Sequence, residues 1–233
     1  TEKTVSGYDF EASNDLYKDT DFSFVGNATV KGTNVGIYDM ELKPGDFTNN
    51  NQNFSKVTFV IVDGQLSITS KSIKSKDMTV EKPADVPYNG KVQQQKPVVK
   101  DGEKTLVEGT DYTLSYSDDA TNVGTVTVTV NGKGNYSGSV DVTYQITKRS
   151  VVLTSETASK PYDGTPLTKP DVTVAGDGFV EGEVSNICAT GSVTTVAEGE
   201  VTNAIEFDKS EAFKSGNYDI AKNEGKLSIT ELS

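Results

Sequence analysis

Thr125-Val126-Thr127-Val128-Thr129-Val130-Asn131-Gly132 decides the fold class of this chain. Valine and threonine alternate strictly over six positions, the period of a pleated strand with one buried face and one wet face. Asn131-Gly132 then supplies residues that accept the positive φ angles of a tight turn. Downstream, Val140-Asp141-Val142-Thr143-Tyr144-Gln145-Ile146 again sets apolar side chains two apart, so the two stretches read as a hairpin. Upstream, Lys96 to Lys100, the turn Asp101-Gly102 and the run Asp111 to Tyr116 supply further short strands. Strands at intervals of about 8–12 residues indicate an all-β sandwich or small barrel.

The end of that hairpin recurs. Gln65-Leu66-Ser67-Ile68-Thr69, Thr143-Tyr144-Gln145-Ile146-Thr147 and Lys226-Leu227-Ser228-Ile229-Thr230 are alike, and their last threonines lie 78 and 83 residues apart, the length of a small module. An asparagine followed by an aromatic residue precedes each closing strand: Asn53-Phe54, Gly134-Asn135-Tyr136 and Gly216-Asn217-Tyr218. After the first two closures come matching joints, Ser70 to Ile73 and Lys148 to Val151, and then an opening motif, Pro87-Tyr88-Asn89-Gly90 or Pro161-Tyr162-Asp163-Gly164. Proline keeps the segment before it extended, and Asn-Gly or Asp-Gly turns the chain. The tyrosines of these motifs are expected to plug module cores.

The pattern predicts three tandem modules, 1–72, 73–149 and 150–233, with linkers at 70–75 and 148–152. The middle module reads as an immunoglobulin-like sandwich. The outer two pair Val5-Ser6-Gly7 with Val174-Ala175-Gly176, and each has a stretch that can make a helical turn, Glu11 to Lys18 or Val180 to Ile187. Helices there suit a β-grasp-like module, and loops suit an immunoglobulin-like one. The first module has no counterpart of Lys160 to Thr173, so its opening strand is expected to lie outside the fragment and to leave an unpaired edge.

Composition narrows function. Val and Thr contribute 28 residues each, while hydrophobic residues make up only 34% of the chain, which points to several small β cores. With 34 acidic and 22 basic residues the net charge is −12, the wrong sign for gripping nucleic acid or an anionic membrane. Histidine is absent, which removes the commonest general base and transition-metal ligand. No apolar run is long enough for membrane insertion. Cys188, the one cysteine, has no cationic neighbour and reads as a small core filler.

Pro161 to Leu167, followed by Val174 to Glu183, Gly216-Asn217-Tyr218-Asp219-Ile220 and Gly225 to Thr230, resembles the YDG/MBG-type repeats of bacterial surface proteins. The middle module, from Tyr88-Asn89-Gly90 through Asn122-Val123-Gly124 to Gly132-Lys133-Gly134-Asn135-Tyr136, is similar to immunoglobulin-like repeats of cell-wall-anchored proteins of Gram-positive gut bacteria. The resemblance implies an extracellular, non-catalytic stalk or spacer of an adhesin-like protein at the bacterial cell wall. Neighbouring repeats of the same polypeptide would be its partners, and it implies no ligand residues.

Candidate sites are few. The alternative to a spacer is a binding module for host or dietary glycans or glycoproteins, acting through a strand edge or through loop tyrosines, with Tyr88, Tyr136, Tyr162 and Tyr218 as the candidates. No cofactor is indicated. Calcium is the one metal that the acidic loops can accommodate, with Asp177, Glu181 and Glu183 as candidate oxygen ligands and Asp118-Asp119 as a second pair. No nucleophile stands beside a base, so the expectation is that the chain is not an enzyme.

Overall fold

The computed structural model describes residues 1–117 and 119–232. The chain is mostly β, with 47% of it in strands and 5% in helical turns. Those turns are single 3-10 turns, as at Asp19–Asp21, Pro44–Asp46, Val196–Glu198 and Ser215–Asn217. Backbone contacts divide the chain into two compact units. One comprises 1–79, 99–114 and 130–140, and the other comprises 80–98, 115–129 and 141–233. The alternation over 125–130 is realised in the strand Gly124–Gly132, where Val126, Val128 and Val130 are fully buried.

In the second unit, the strand Arg149–Ser155 lies at the centre of a three-stranded sheet. It runs antiparallel to Val172–Gly176 and parallel to Tyr218–Asn223. Val151 and Leu153, two apart, are fully buried. A second sheet pairs Gly225–Thr230 with Ala158–Pro161 in parallel and with Val201–Asn203 antiparallel. Its core is Val193, Leu227 and Ile229, packed by Ala158, Leu167 and Val201. The ribbon Val184–Ala189 with Ile205–Lys209 completes this region, and Cys188 on it is half-buried, so it is no core filler.

The first unit repeats this plan with a gap. Tyr38 pairs with Leu66 as Val201 pairs with Leu227, and Val5 pairs with Val30 as Leu167 pairs with Val193. Val30, Met40 and Leu66 form the matching small core. These registers set Lys3–Ser6 level with Leu167–Thr168, Tyr17 with Phe179 and Asp21 with Glu183. The sequence pairing of Val5-Ser6-Gly7 with Val174-Ala175-Gly176 is therefore off by seven residues. No helix forms over Glu11 to Lys18, where a single turn closes from the Tyr17 N–H to the Asn14 carbonyl, and in Val180 to Ile187 a single turn at Val180 to Glu183 leads into the strand Val184–Ala189. Among the described residues, nothing in 1–69 plays the part of Arg149–Ser155. The two segments that would flank it, 10–14 and 57–62, belong to no strand.

Candidate functional site

Three of the four nominated tyrosines are interior. Tyr88 and Tyr218 are each 3% exposed and Tyr136 is 7% exposed, whereas Tyr162 is 44% exposed. The buried ones sit in two polar clusters, one in each unit.

In the second unit, the turn Ser215–Asn217 delivers Tyr218 into its strand directly opposite Arg149. The Tyr218 hydroxyl donates to Glu183 Oε2 at 2.7 Å, and the Tyr88 hydroxyl donates to Glu183 Oε1 at 2.6 Å. The two rings meet edge to face at 5.6 Å, and Phe213 stacks on Tyr218 at 5.3 Å. Glu183 is thus a buried carboxylate, 5% exposed, with each oxygen taken by a phenol. Burial raises the pKa of both tyrosines, and their bonds to Glu183 raise it further, because a phenolate could not donate to a carboxylate. Arg149 spends its guanidinium on backbone carbonyls: Nε to Gly178 at 2.7 Å, one terminal nitrogen to Asp177 at 2.5 Å and the other to Tyr88 at 3.3 Å. Beside this cluster the Asn217 amide closes two bonds. Its Oδ1 accepts from the Val123 N–H at 2.9 Å, and its Nδ2 donates to Asn122 Oδ1 at 2.9 Å.

The first unit repeats the device. Asn135 Oδ1 accepts from the Val35 N–H at 2.7 Å, and Asn135 Nδ2 donates to Asn34 Oδ1 at 2.9 Å. Tyr136 pairs in parallel with Lys71 as Tyr218 pairs with Arg149. The Tyr136 hydroxyl donates to Asp101 Oδ2 at 3.1 Å, and Lys71 Nζ meets Asp101 Oδ1 at 2.6 Å. That ammonium holds the Asp101 carboxyl below the usual carboxylate range, and burial beside Asp101 pushes the Tyr136 phenol up to about 12. Each cluster therefore has an Asn-Tyr pair whose amide bonds an Asn side chain and the following Val N–H, a carboxylate that accepts from the tyrosine, buried at Glu183 and half-buried at Asp101, and a basic residue at the paired strand position.

No family model, curated protein or solved structure matches the chain.

The calcium candidates are not brought together. Asp177 Oδ2 accepts from the Ser150 N–H at 3.1 Å, Glu183 is enclosed by tyrosines and Glu181 is exposed. Among the described residues, no cluster of three acidic, histidine or cysteine side chains could hold a metal ion. Asp118, half of the second acidic pair, lies outside the described residues. Its neighbour Asp119 accepts from Thr121 N–H, Asn122 N–H and Asn122 Nδ2, which lowers its carboxyl to about 2.

Tyr162 and Tyr88 hold equivalent places: the N–H of each donates to the residue that ends a closing strand, Thr230 or Thr147. Only Tyr88 is covered. Sequence reasoning missed Asp101, the tyrosine role of Glu183, and the two Asn-Val pairs that Asn135 and Asn217 bond. The available signal was the tetrapeptide Thr-Asn-Val-Gly, present at 33–36 and again at 121–124.

Proposed function

We propose that the chain is a non-catalytic stalk or spacer of a secreted bacterial surface protein, built from three small β modules in tandem, with partners chiefly among its own repeats. The observation that carries this reading is the recurrence of the Asn-Tyr clasp at Asn135-Tyr136 and Asn217-Tyr218. A module that must hold its neighbour at a set angle needs directional contacts at the joint, and a side-chain amide that bonds both a side chain and a backbone N–H has that character. Tyrosines used inside such joints are withheld from solvent, which counts against a glycan-stacking platform. The net charge of −12 supports the same reading, since like-charge repulsion keeps densely displayed stalks soluble.

The test is single-molecule energy transfer between dyes on the cysteines of Lys31→Cys and Lys226→Cys in a Cys188→Ser background. One narrow distance distribution that broadens on Asn135→Ala with Asn217→Ala is expected. A broad distribution in the parent, unchanged by the substitutions, would reject the spacer.

The second reading, a binding module for host or dietary glycans or glycoproteins, rests on Tyr162, the one exposed tyrosine of the four. Screening against arrayed glycans and mucins, with calcium and with chelator, decides it. Saturable binding abolished by Tyr162→Ala would favour this reading over the spacer.

A further inference from the structure

The first unit has a cavity at the place where the second unit has a central strand. In the second unit, Val172–Gly176 and Tyr218–Asn223 are both bonded to Arg149–Ser155, which lies between them. Among the described residues, no strand pairs with their counterparts in the first unit, 10–14 and 57–62. Among the described residues, none from 8 to 13 or from 55 to 62 makes a backbone–backbone hydrogen bond. A cavity of about 380 Å³ occupies the place, walled by residues 8–14 and 56–62 and floored by Tyr17, Phe22, Leu42, Phe47 and Phe54. The floor is an aromatic cluster: Phe22 contacts Phe10, Phe47 and Phe59 at 5.1, 5.7 and 5.6 Å, and all four rings are only half-buried. Val57, Phe59 and Ile61 alternate with the exposed Thr58, Val60 and Val62, the pattern of a strand held ready on one face.

We propose that this groove is a strand-accepting site, and that its ligand is an extended peptide with the pattern of Arg149–Ser155: a basic residue and serine, then apolar side chains at alternate positions. The peptide enters parallel to 57–62 and antiparallel to 10–14, completing backbone bonds on both edges. Its alternate apolar side chains cover Phe10, Phe22 and Phe59 as Val151 and Leu153 cover their own module. The register follows from the second unit, where Leu153 faces Val174 and Thr154 faces Thr173. The ligand's leucine then faces Ala12 and the following threonine faces Glu11. Asp15, level with Asp177, stands where it can accept the incoming serine N–H, as Asp177 accepts that of Ser150. A second copy of the chain is the poorer donor, because its Arg149–Ser155 is already bonded along both edges. Residues 10–14 and 57–62 both line the cavity, so a single strand placed in it meets an edge on each side.

The experiment adds a synthetic peptide of residues 148–156 to the whole chain and follows backbone amides by NMR. Expected are saturable shifts confined to residues 8–17 and 54–62, and affinity weaker by about tenfold or more when the peptide carries aspartate at its Val151 and Leu153 positions. A disulfide trap fixes the register. Glu11→Cys, in a Cys188→Ser background, should capture a peptide bearing cysteine at its Thr154 position, and not one bearing it at Val152. Because the decisive changes lie in the peptide, folding of the protein is not at stake. No shifts at millimolar peptide, shifts elsewhere, or equal binding of the aspartate peptide would each overturn the proposal. Concentration-dependent dimerisation that shifts residues 8–17 and 54–62 without peptide would overturn it too, by making a second copy the occupant.

Discussion

Asn217 holds Asn122 and its neighbour by both ends of one amide. The nitrogen donates to the Asn122 side chain, and the oxygen accepts from the Val123 backbone, each at 2.9 Å. Asn135 does the same to Asn34 and Val35. The two clasps differ in wetness, since Asn217 is buried and Asn135 is only half-buried.

That difference sets the first prediction. Asn217→Ala removes a buried amide and leaves the part-buried Val123 N–H without its acceptor, which should lower unfolding free energy by about 1–3 kcal/mol, while Asn135→Ala, whose partners water can reach, should cost less than about 1 kcal/mol. Urea denaturation ranks the two. Amide exchange at Val123 should accelerate in Asn217→Ala alone.

Glu183→Gln tests the enclosed carboxylate. A glutamine offers one acceptor oxygen to two phenols and points an N–H₂ group at the other, so destabilisation of about 2 kcal/mol is expected. Tyr88→Phe and Tyr218→Phe should each cost less. A double-mutant cycle between them should depart from additivity, because both donate to one side chain.

Alkaline titration tests Tyr136. Its phenol lies at about 12 in the folded chain, above its ordinary value near 10, so the folded state retains the proton that the unfolded chain releases. The stability it confers is complete below about pH 10 and declines as pH rises through 12, by up to about 2–3 kcal/mol for this residue. Tyr88 and Tyr218, raised in the same direction, steepen the decline. Absorbance at the tyrosinate band should rise with unfolding, and Tyr136→Phe should flatten the dependence.

The acid limb runs the opposite way. Asp119 titrates near 2 in the folded state, below the ordinary carboxyl range, because three N–H groups donate to its anion. Its contribution is present above about pH 4 and is lost as pH falls through 2. Asp119→Ala should remove that part of the acid sensitivity and loosen the loop that offers Asn122 to Asn217, seen as broader Asn122 and Val123 resonances.

Gly176 is irreplaceable on two grounds. Its φ is +77°, and an added Cβ would lie 2.8 Å from the Ser150 carbonyl oxygen. Gly176→Ala should cost more than about 1 kcal/mol in thermal or urea unfolding.

Strands were the legible part of the sequence because their signal is local: Val126, Val128 and Val130 announce a buried face without knowledge of what covers it. The Asn-Tyr pairs were legible as repeated corners. What they grip was not, since Asn122 and Asn217 are 95 positions apart and only folding reveals which tetrapeptide faces which amide. Glu183 read as a loop carboxylate open to calcium because nothing near it in sequence shows that Tyr88 and Tyr218 will close over it. The alignment of the outer modules slipped because a Val-x-Gly match is short. The strand registers around Leu66 and Leu227 carry more information than that match, and Asn53 to Gly64 is three residues longer than Asn217 to Gly225. Glu11 to Lys18 looked helical for want of the strand that its counterpart leans on.

The parallel pairing of Arg149–Ser155 with Tyr218–Asn223, and of Ala158–Pro161 with Gly225–Thr230, also decides how this region bears load. When tension enters the chain before Arg149 and leaves it after Thr230, parallel strands are dragged lengthwise past one another. Their hydrogen bonds are then strained together, in shear, instead of being unzipped one at a time, so this region should yield only at high force and all at once.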